Sequence, residues 1–167
     1  MPIVLIGVPG AGKSTVGARL AEKLNYDFID TDAVIEKEAG KSISDIFIQD
    51  GEPVFREIEK QVVAQSLANE NAVVSLGGGS LVNEQSRALV KKQKVVWLQT
   101  GLSQAVERVG MNRNRPLLLG NVRGQLADLM SAREPLYVEC AQYVVDTNTL
   151  TVDEVVEQVL NVLGEKS

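Results

Sequence analysis

Histidine is absent from this 167-residue chain. That alone excludes Ser-His-Asp and Cys-His nucleophilic catalysis and any histidine-ligated zinc. A single cysteine, Cys140, leaves no internal disulfide and no multi-cysteine metal site, and it points to a reducing, cytoplasmic home. Long apolar runs are missing as well. The longest, Ile3–Ile6 and Val95–Leu98, fall far short of the roughly 20 residues that a membrane span needs. No basic flank precedes the first of them, so no signal or transit peptide is expected. Positive charge is in deficit, with 17 Lys and Arg against 22 Asp and Glu and a formal charge of −5. This argues against broad binding to nucleic acid or to an anionic membrane. Any anion bound here must be held by local structure against the overall field.

What is present reads as one folded domain over 1–167. Hydrophobic residues make up 44% and charged residues 23%, ordinary for a soluble protein of this size. No exposed apolar stripe stands out, so a monomer is expected. Strand-like and helix-like segments alternate. Ile3–Gly7, Asp27–Asp32, Ala72–Leu76, Lys94–Gln99 and Tyr143–Asp146 read as strands. Ser14–Leu24, Ala33–Ala39, a piece from near Ser44, a helix opened by Pro53, Glu84–Lys92, Ser103–Val109, Val122–Cys140 and Val152–Leu163 have helical spacing. Behind Pro53 the stripe is Val54, Phe55, Ile58, Val62 and Leu67. Pro135 is expected to kink or split its helix. Strands separated by helical crossovers imply a parallel sheet, and near-continuous apolar strands imply burial on both faces. The expected fold is therefore α/β, with five parallel strands and helices on both sides in three layers. Ligands of such sheets bind beyond the carboxyl ends of the strands.

Chemistry concentrates at those ends. Gly7-Val8-Pro9-Gly10-Ala11-Gly12-Lys13-Ser14 matches G-x-x-x-x-G-K-[ST] between a strand and a helix. Glycines let backbone N–H groups curl toward phosphate oxygens, and the following helix adds its dipole. In this motif Lys13 reaches the β- and γ-phosphates and the Ser14 hydroxyl ligates Mg²⁺. Asp30 and Asp32 close the second strand, where a period of two places them on one face about 7 Å apart. Asp30 is then placed to hold the Mg²⁺ shell and Asp32 to accept a proton from an attacking hydroxyl. One or both can equally cap the next helix.

Gly77-Gly78-Gly79 follows a buried-type strand and either exposes N–H groups to a ligand or forms a plain turn. Arg56 has Glu52 four residues before it and Glu59 three after it, and Arg133 precedes Glu134-Pro135. Both can be ion-paired surface residues. Residues 110–121, bounded by Gly110 and Gly120, carry Arg115-Pro116 and read as a lid loop whose arginine meets the γ-phosphate. Trp97 and Cys140 read as core.

Together these marks resemble the shikimate kinase family, within the nucleoside-monophosphate-kinase-like P-loop kinases. They are the stretch Gly7–Thr15, Asp30-Thr31-Asp32, Ser44-Asp45-Ile46-Phe47 through Gly51-Glu52 to Phe55-Arg56, Leu76–Gly79, Arg115-Pro116-Leu117-Leu118 and Arg133-Glu134-Pro135-Leu136-Tyr137. The resemblance covers essentially the whole chain. It implies strand order 2-3-1-4-5 and ATP- and Mg²⁺-dependent phosphorylation of the 3-hydroxyl of shikimate. It implies nucleotide contacts at Gly10, Ala11, Gly12, Lys13, Ser14, Thr15, Arg108 and Arg115, with Mg²⁺ at Ser14 and, through water, Asp30. Catalysis would rest on Asp32, Lys13 and Arg115. Shikimate would meet Asp32, Arg56, Arg133 and the Gly77–Gly79 turn, with Glu59 orienting Arg56. Phe47, Phe55, Pro116 and Leu117 would line the ring, all within a substrate region over 33–60 and the loop. Family members often carry an Arg and a Pro in the loop after the last strand, where this chain reads Thr147-Asn148-Thr149-Leu150-Thr151-Val152. Two other readings are a kinase for another polyol acid such as gluconate and a non-catalytic ATP-binding regulator.

Overall fold

Apolar runs bounded by turn residues fold here into one parallel sheet. The computed structural model describes residues 1–8, 11–110 and 121–164. Among them, β1 (Ile3–Ile6), β2 (Asp27–Asp30), β3 (Ala72–Ser75), β4 (Lys94–Gln99) and β5 (Tyr143–Asp146) pair in the order β2-β3-β1-β4-β5. Every pairing is parallel, with Val4 opposite both Val74 and Val95. This is the expected order. The connections are α1 (Lys13–Leu24), α2 (Thr31–Ala39), α3 (Ile43–Gln49), α4 (Glu52–Leu67), α5 (Glu84–Val90), α6 (Leu102–Gly110) and α7 (Val122–Cys140), with α8 (Val152–Leu163) after β5. A short 3₁₀ turn, Ser80–Val82, follows the glycine triplet.

Strand alternation divides the core. Ile3 and Leu5 of β1 pack with Val16 and Leu20 of α1 and with Val155, Val156, Val159 and Leu160 of α8. Val4 and Ile6 point the other way, toward Val63 and Leu67 of α4, Leu126 of α7 and Ala105 of α6. A third, smaller cluster joins Ile35, Ile46, Phe55 and Val62. It seats α2 and α3 against α4 beside the strand ends, and so frames the region over 33–60. No helix among the described residues is long and apolar enough to cross a membrane.

Four expectations need correction. Burial on both faces holds for β1 and β3 but not for β2 and β5, because these two edge strands have a neighbour on one side only. The second strand stops at Asp30, and Asp32 lies in the first turn of α2. The Asp30 carboxylate caps that helix, which pulls the chain out of extended geometry two residues early. Pro135 does not split α7, which is continuous from Val122 to Cys140. Both Pro135 and Ser131, whose carbonyl loses its N–H partner, lie on the exposed side, so the orphaned carbonyl is open to solvent and not buried. Val54, assigned to the buried stripe of α4, is 44% exposed. The core-facing stripe instead recruits Glu59 and Ser66.

Candidate active site

The phosphate loop leads into α1 without a side-chain cap. Gly12 occupies the N-cap in the left-handed region at φ 83° and has no side chain to offer. The N–H groups of the first turn and the positive end of the dipole are therefore left for an anion. No acidic residue lies in that turn. Lys13 folds back and donates to the carbonyls of Gly7 (2.7 Å) and Val8 (3.2 Å). Its ammonium is thus held at the loop by backbone dipoles. Ser14 and Thr15 are exposed, and Ala11 is buried beneath them. Arg108, near the end of α6, brings its guanidinium to 3.5 Å from where a Cβ on Gly12 would stand. It therefore lies beside the phosphate loop. Gly10 lies outside the described residues.

Asp30 joins this loop to α2. Its Oδ2 accepts the Ser14 hydroxyl at 2.6 Å, while Oδ1 accepts the N–H groups of Asp32 (3.0 Å) and Ala33 (3.4 Å). The capping reading of Asp30 is thus realised, and its second oxygen lies against the hydroxyl at the start of α1. Among the described residues no group of three His, Cys, Asp or Glu forms a metal cage. A hydroxyl and a carboxylate are hard oxygen donors. They fit Mg²⁺, which takes one or two protein ligands and leaves its other positions to water and phosphate.

The glycine turn touches the two residues assigned to the acceptor substrate. A Cβ on Gly77 would collide with the Asp32 carboxylate, and one on Gly79 would stand 2.6 Å from Nη1 of Arg56. Only a chain without side chains can run this close to both charges. Arg56 in turn pairs with Glu59 at 2.9 Å and with Glu52 at 3.5 Å. Glu59 is 4% exposed. Burial pushes its carboxyl above the usual range, the Arg56 guanidinium pulls it back, and the Asp32 charge adds to the push. The Ser80 hydroxyl, 1% exposed and without a hydrogen bond of normal geometry, still favours the charged form as a nearby dipole. The Arg56 guanidinium carbon lies 5.2 Å from the centre of the Phe55 ring, and that ring lies 4.8 Å from the Phe47 ring. Phe55 is buried, so it supports Arg56 and Phe47 from below. Phe47 is half-buried and stays available to a ligand.

Arg133 lies on α7, which packs, as α4 does, against the 3₁₀ turn that follows Gly79. The helices bearing Arg56 and Arg133 therefore converge on one turn. Tyr137, one helical turn after Arg133, has its hydroxyl pushed up to about 12 by burial, against the pull of the Arg133 charge. Its ring rests on half-buried Trp97 at 5.5 Å between centres. Cys140 is buried beside them, and burial raises its thiol. In the loop after β5, Thr147 and Asn148 are occupied. Thr147 Oγ1 meets Thr100 Oγ1 at 2.7 Å, and Asn148 Oδ1 accepts the Gly101 N–H at 2.6 Å. Arg115, Pro116 and Leu117, with most of the loop over 110–121, lie outside the described residues. Sequence reasoning missed Thr31, which is fully buried between the two aspartates. Its one available signal was that position.

A family model for shikimate kinase matches residues 9–164. This chain belongs to the shikimate kinase family. It is 51% identical over 154 residues to a shikimate kinase of Thermobifida fusca, covering 92% of this chain and 90% of that protein. Its fold is similar to that of the shikimate kinase from Acinetobacter baumannii solved in complex with shikimate. The TM-score is 0.93 at 36% identity, over 97% of this chain and 92% of that one. A gluconokinase from Sinorhizobium meliloti matches with a TM-score of 0.61 at 24% identity, over 98% of this chain and 91% of that one. That likeness is one of fold alone. The family's ATP-dependent kinase chemistry agrees with the open helix N-terminus and the Lys13 geometry.

Proposed function

We propose that this chain transfers the γ-phosphoryl group of ATP to the 3-hydroxyl of shikimate, giving ADP and shikimate 3-phosphate. The observation that carries the reading is the glycine turn, which lies against the Asp32 carboxylate on one side and the Arg56 guanidinium on the other. A proton acceptor and a carboxylate clamp thus stand beside one stretch of backbone donors, next to a phosphate loop. The Gly77 N–H is already committed to Thr31, and the family likeness points to the Gly78 N–H as the donor to the substrate. Arg56 and Arg133 bind the shikimate carboxylate, since guanidinium pairs bidentately with it. Glu59 holds Arg56 in its rotamer. Phe47 faces the ring.

Asp32 takes the proton of the 3-hydroxyl as its oxygen bonds to the γ-phosphorus and the bond to the β,γ-bridging oxygen breaks. Lys13 moves from the loop carbonyls to the phosphate oxygens. Ser14 and Asp30 would hold Mg²⁺ on the nucleotide. When bound, that ion neutralises charge on the phosphates. Arg108 covers the nucleotide base. The family likeness adds Arg115 to the γ-phosphate, with Pro116 and Leu117 closing over the ring as a lid. The chain would act as a cytoplasmic monomer and a single kinase domain.

A coupled assay for ADP with ATP, Mg²⁺ and shikimate tests this. Turnover is expected with shikimate and not with gluconate. Asp32→Asn keeps the shape and removes the proton acceptor, so kcat should fall by roughly 10²–10⁴. A near wild-type kcat for that variant would reject Asp32 as the base. Binding of ATP without turnover of shikimate would favour a regulator.

A further inference from the structure

Thr31 stands between Asp30 and Asp32 with 0% exposure. Its hydroxyl donates to the Ser75 carbonyl at 3.3 Å and accepts the Gly77 N–H at 2.9 Å. Those partners flank the junction at which β3 ends and the glycine turn begins. Ser75 is the last residue of β3 and pairs with Asp30 across the sheet. One side chain at the start of α2 therefore ties that helix to the turn. A buried threonine needs only one hydrogen bond to be satisfied. Here both the donor and an acceptor position are used, and both partners belong to the wall of the substrate site.

The tie has a counterpart at the same glycine, where Gly77 abuts the Asp32 carboxylate without room for a Cβ. The Thr31 hydroxyl holds the Gly77 backbone, and Gly77 borders Asp32, the very next residue after Thr31. Asp32 and the turn are thus one closed unit. We propose that Thr31 is a positioning residue, whose hydroxyl sets the spacing between Asp32 and the glycine turn and so aligns the proton acceptor with the backbone donor that holds the same substrate. The inference rests on Asp32 being the base. It requires a hydroxyl at position 31 and tolerates loss of the methyl group.

The experiment compares Thr31→Val, which is isosteric, with Thr31→Ser, which keeps the hydroxyl. Kinetics with ATP and shikimate are measured well below each variant's melting temperature, with calorimetry for both substrates. Thr31→Val should lower kcat/KM for shikimate by about 10- to 100-fold, since small misplacements of reacting groups carry losses of that order. Its ATP Kd should stay within about two-fold, and Thr31→Ser should recover most of the loss. Gly77→Ala, which pushes on Asp32 directly and leaves Thr31 intact, should reproduce the loss in kcat/KM for shikimate with ATP affinity kept. Equal loss of ATP and shikimate affinity in Thr31→Val, or failure of Thr31→Ser to recover activity, would overturn the proposal in favour of a packing role. A fully active Thr31→Val beside an inactive Asp32→Asn overturns the positioning role alone. If Asp32→Asn is itself fully active, the base assignment fails and this inference fails with it.

Discussion

Asp30 divides its two oxygens between two jobs. One caps α2 through the N–H groups of Asp32 and Ala33, and the other takes the Ser14 hydroxyl. Asparagine ranks with aspartate as an N-cap. Asp30→Asn should therefore change stability by no more than about 0.5 kcal/mol in urea melts. The same variant loses the negative charge beside Ser14, so a Mg²⁺ titration of the rate should shift to higher concentration. An unchanged titration would leave Asp30 as a cap and nothing more. Glu59 offers a test with the opposite sign from most carboxylates. Its folded carboxyl is raised above the ordinary 4.5 by burial. The native state then binds more protons than the unfolded state, and stability falls as pH rises through the raised value. Measured against Glu59→Gln, which does not titrate, the wild-type melting temperature should be most favourable below pH 4.5 and should lose ground as pH increases. A gap between the two that is constant with pH would show that Glu59 is not held above its normal range.

Elements position these residues by their ends more than by their faces. The glycine turn, the N-terminus of α1 and the N-terminus of α2 all lie at the carboxyl ends of β1, β2 and β3, where parallel strands leave their loops on one side. Helix α7 approaches the same turn and bears Arg133. Pro135 lies within it, two residues further on, and denies the Ser131 carbonyl its helical partner. A proline inside an exposed stretch of helix costs about 3 kcal/mol relative to alanine. Pro135→Ala should therefore stabilise the protein by about 1–3 kcal/mol by denaturant melt. Loss of stability instead would mean that the proline sets a bend on which the packing of Tyr137 and Cys140 depends.

The whole molecule has few groups that titrate near neutrality. It has no histidine, burial pushes the Tyr137 hydroxyl up to about 12, and the Cys140 thiol is raised above 9.0. Exposed Glu139, Glu154 and Glu70 have carboxyls lowered below 4.5 by hydrogen bonds and charge partners at Lys91, Thr151 and the N-terminus respectively. Their contribution is present above 4.5 and is lost as pH falls through their folded values. The melting temperature should accordingly fall in acid as these carboxyls take up protons. A melting temperature that stays constant as the pH is taken well below 4.5 in a calorimetric series would contradict this.

Local chemistry was legible in the chain. The phosphate loop announces itself because it needs particular residue types at fixed spacing, the glycine triplet and the arginines drew their roles from likeness, and the helical stripe of α8 is written in Val155, Val156 and Val159. Apolar alternation with helical periods was enough for a parallel α/β sheet. Strand order was not, since hydrophobic periodicity says that a strand is buried and nothing about its neighbour. That order was reached by likeness and appears only in the pairings of β1 with β3 and β4, of β2 with β3 and of β4 with β5. Asp32 shows the limit most plainly. Its strand assignment followed from period-two spacing, but the Asp30 cap, formed only when its side chain reaches the next N–H groups, turned the chain into a helix first. Thr31 had its position between the aspartates as its one local signal, and Ser80 and Tyr137 had none, because their roles depend on groups far away in sequence. What brings Thr31 to Gly77 across 46 positions is the packing of β2 beside β3, and only the tertiary structure decides that contact.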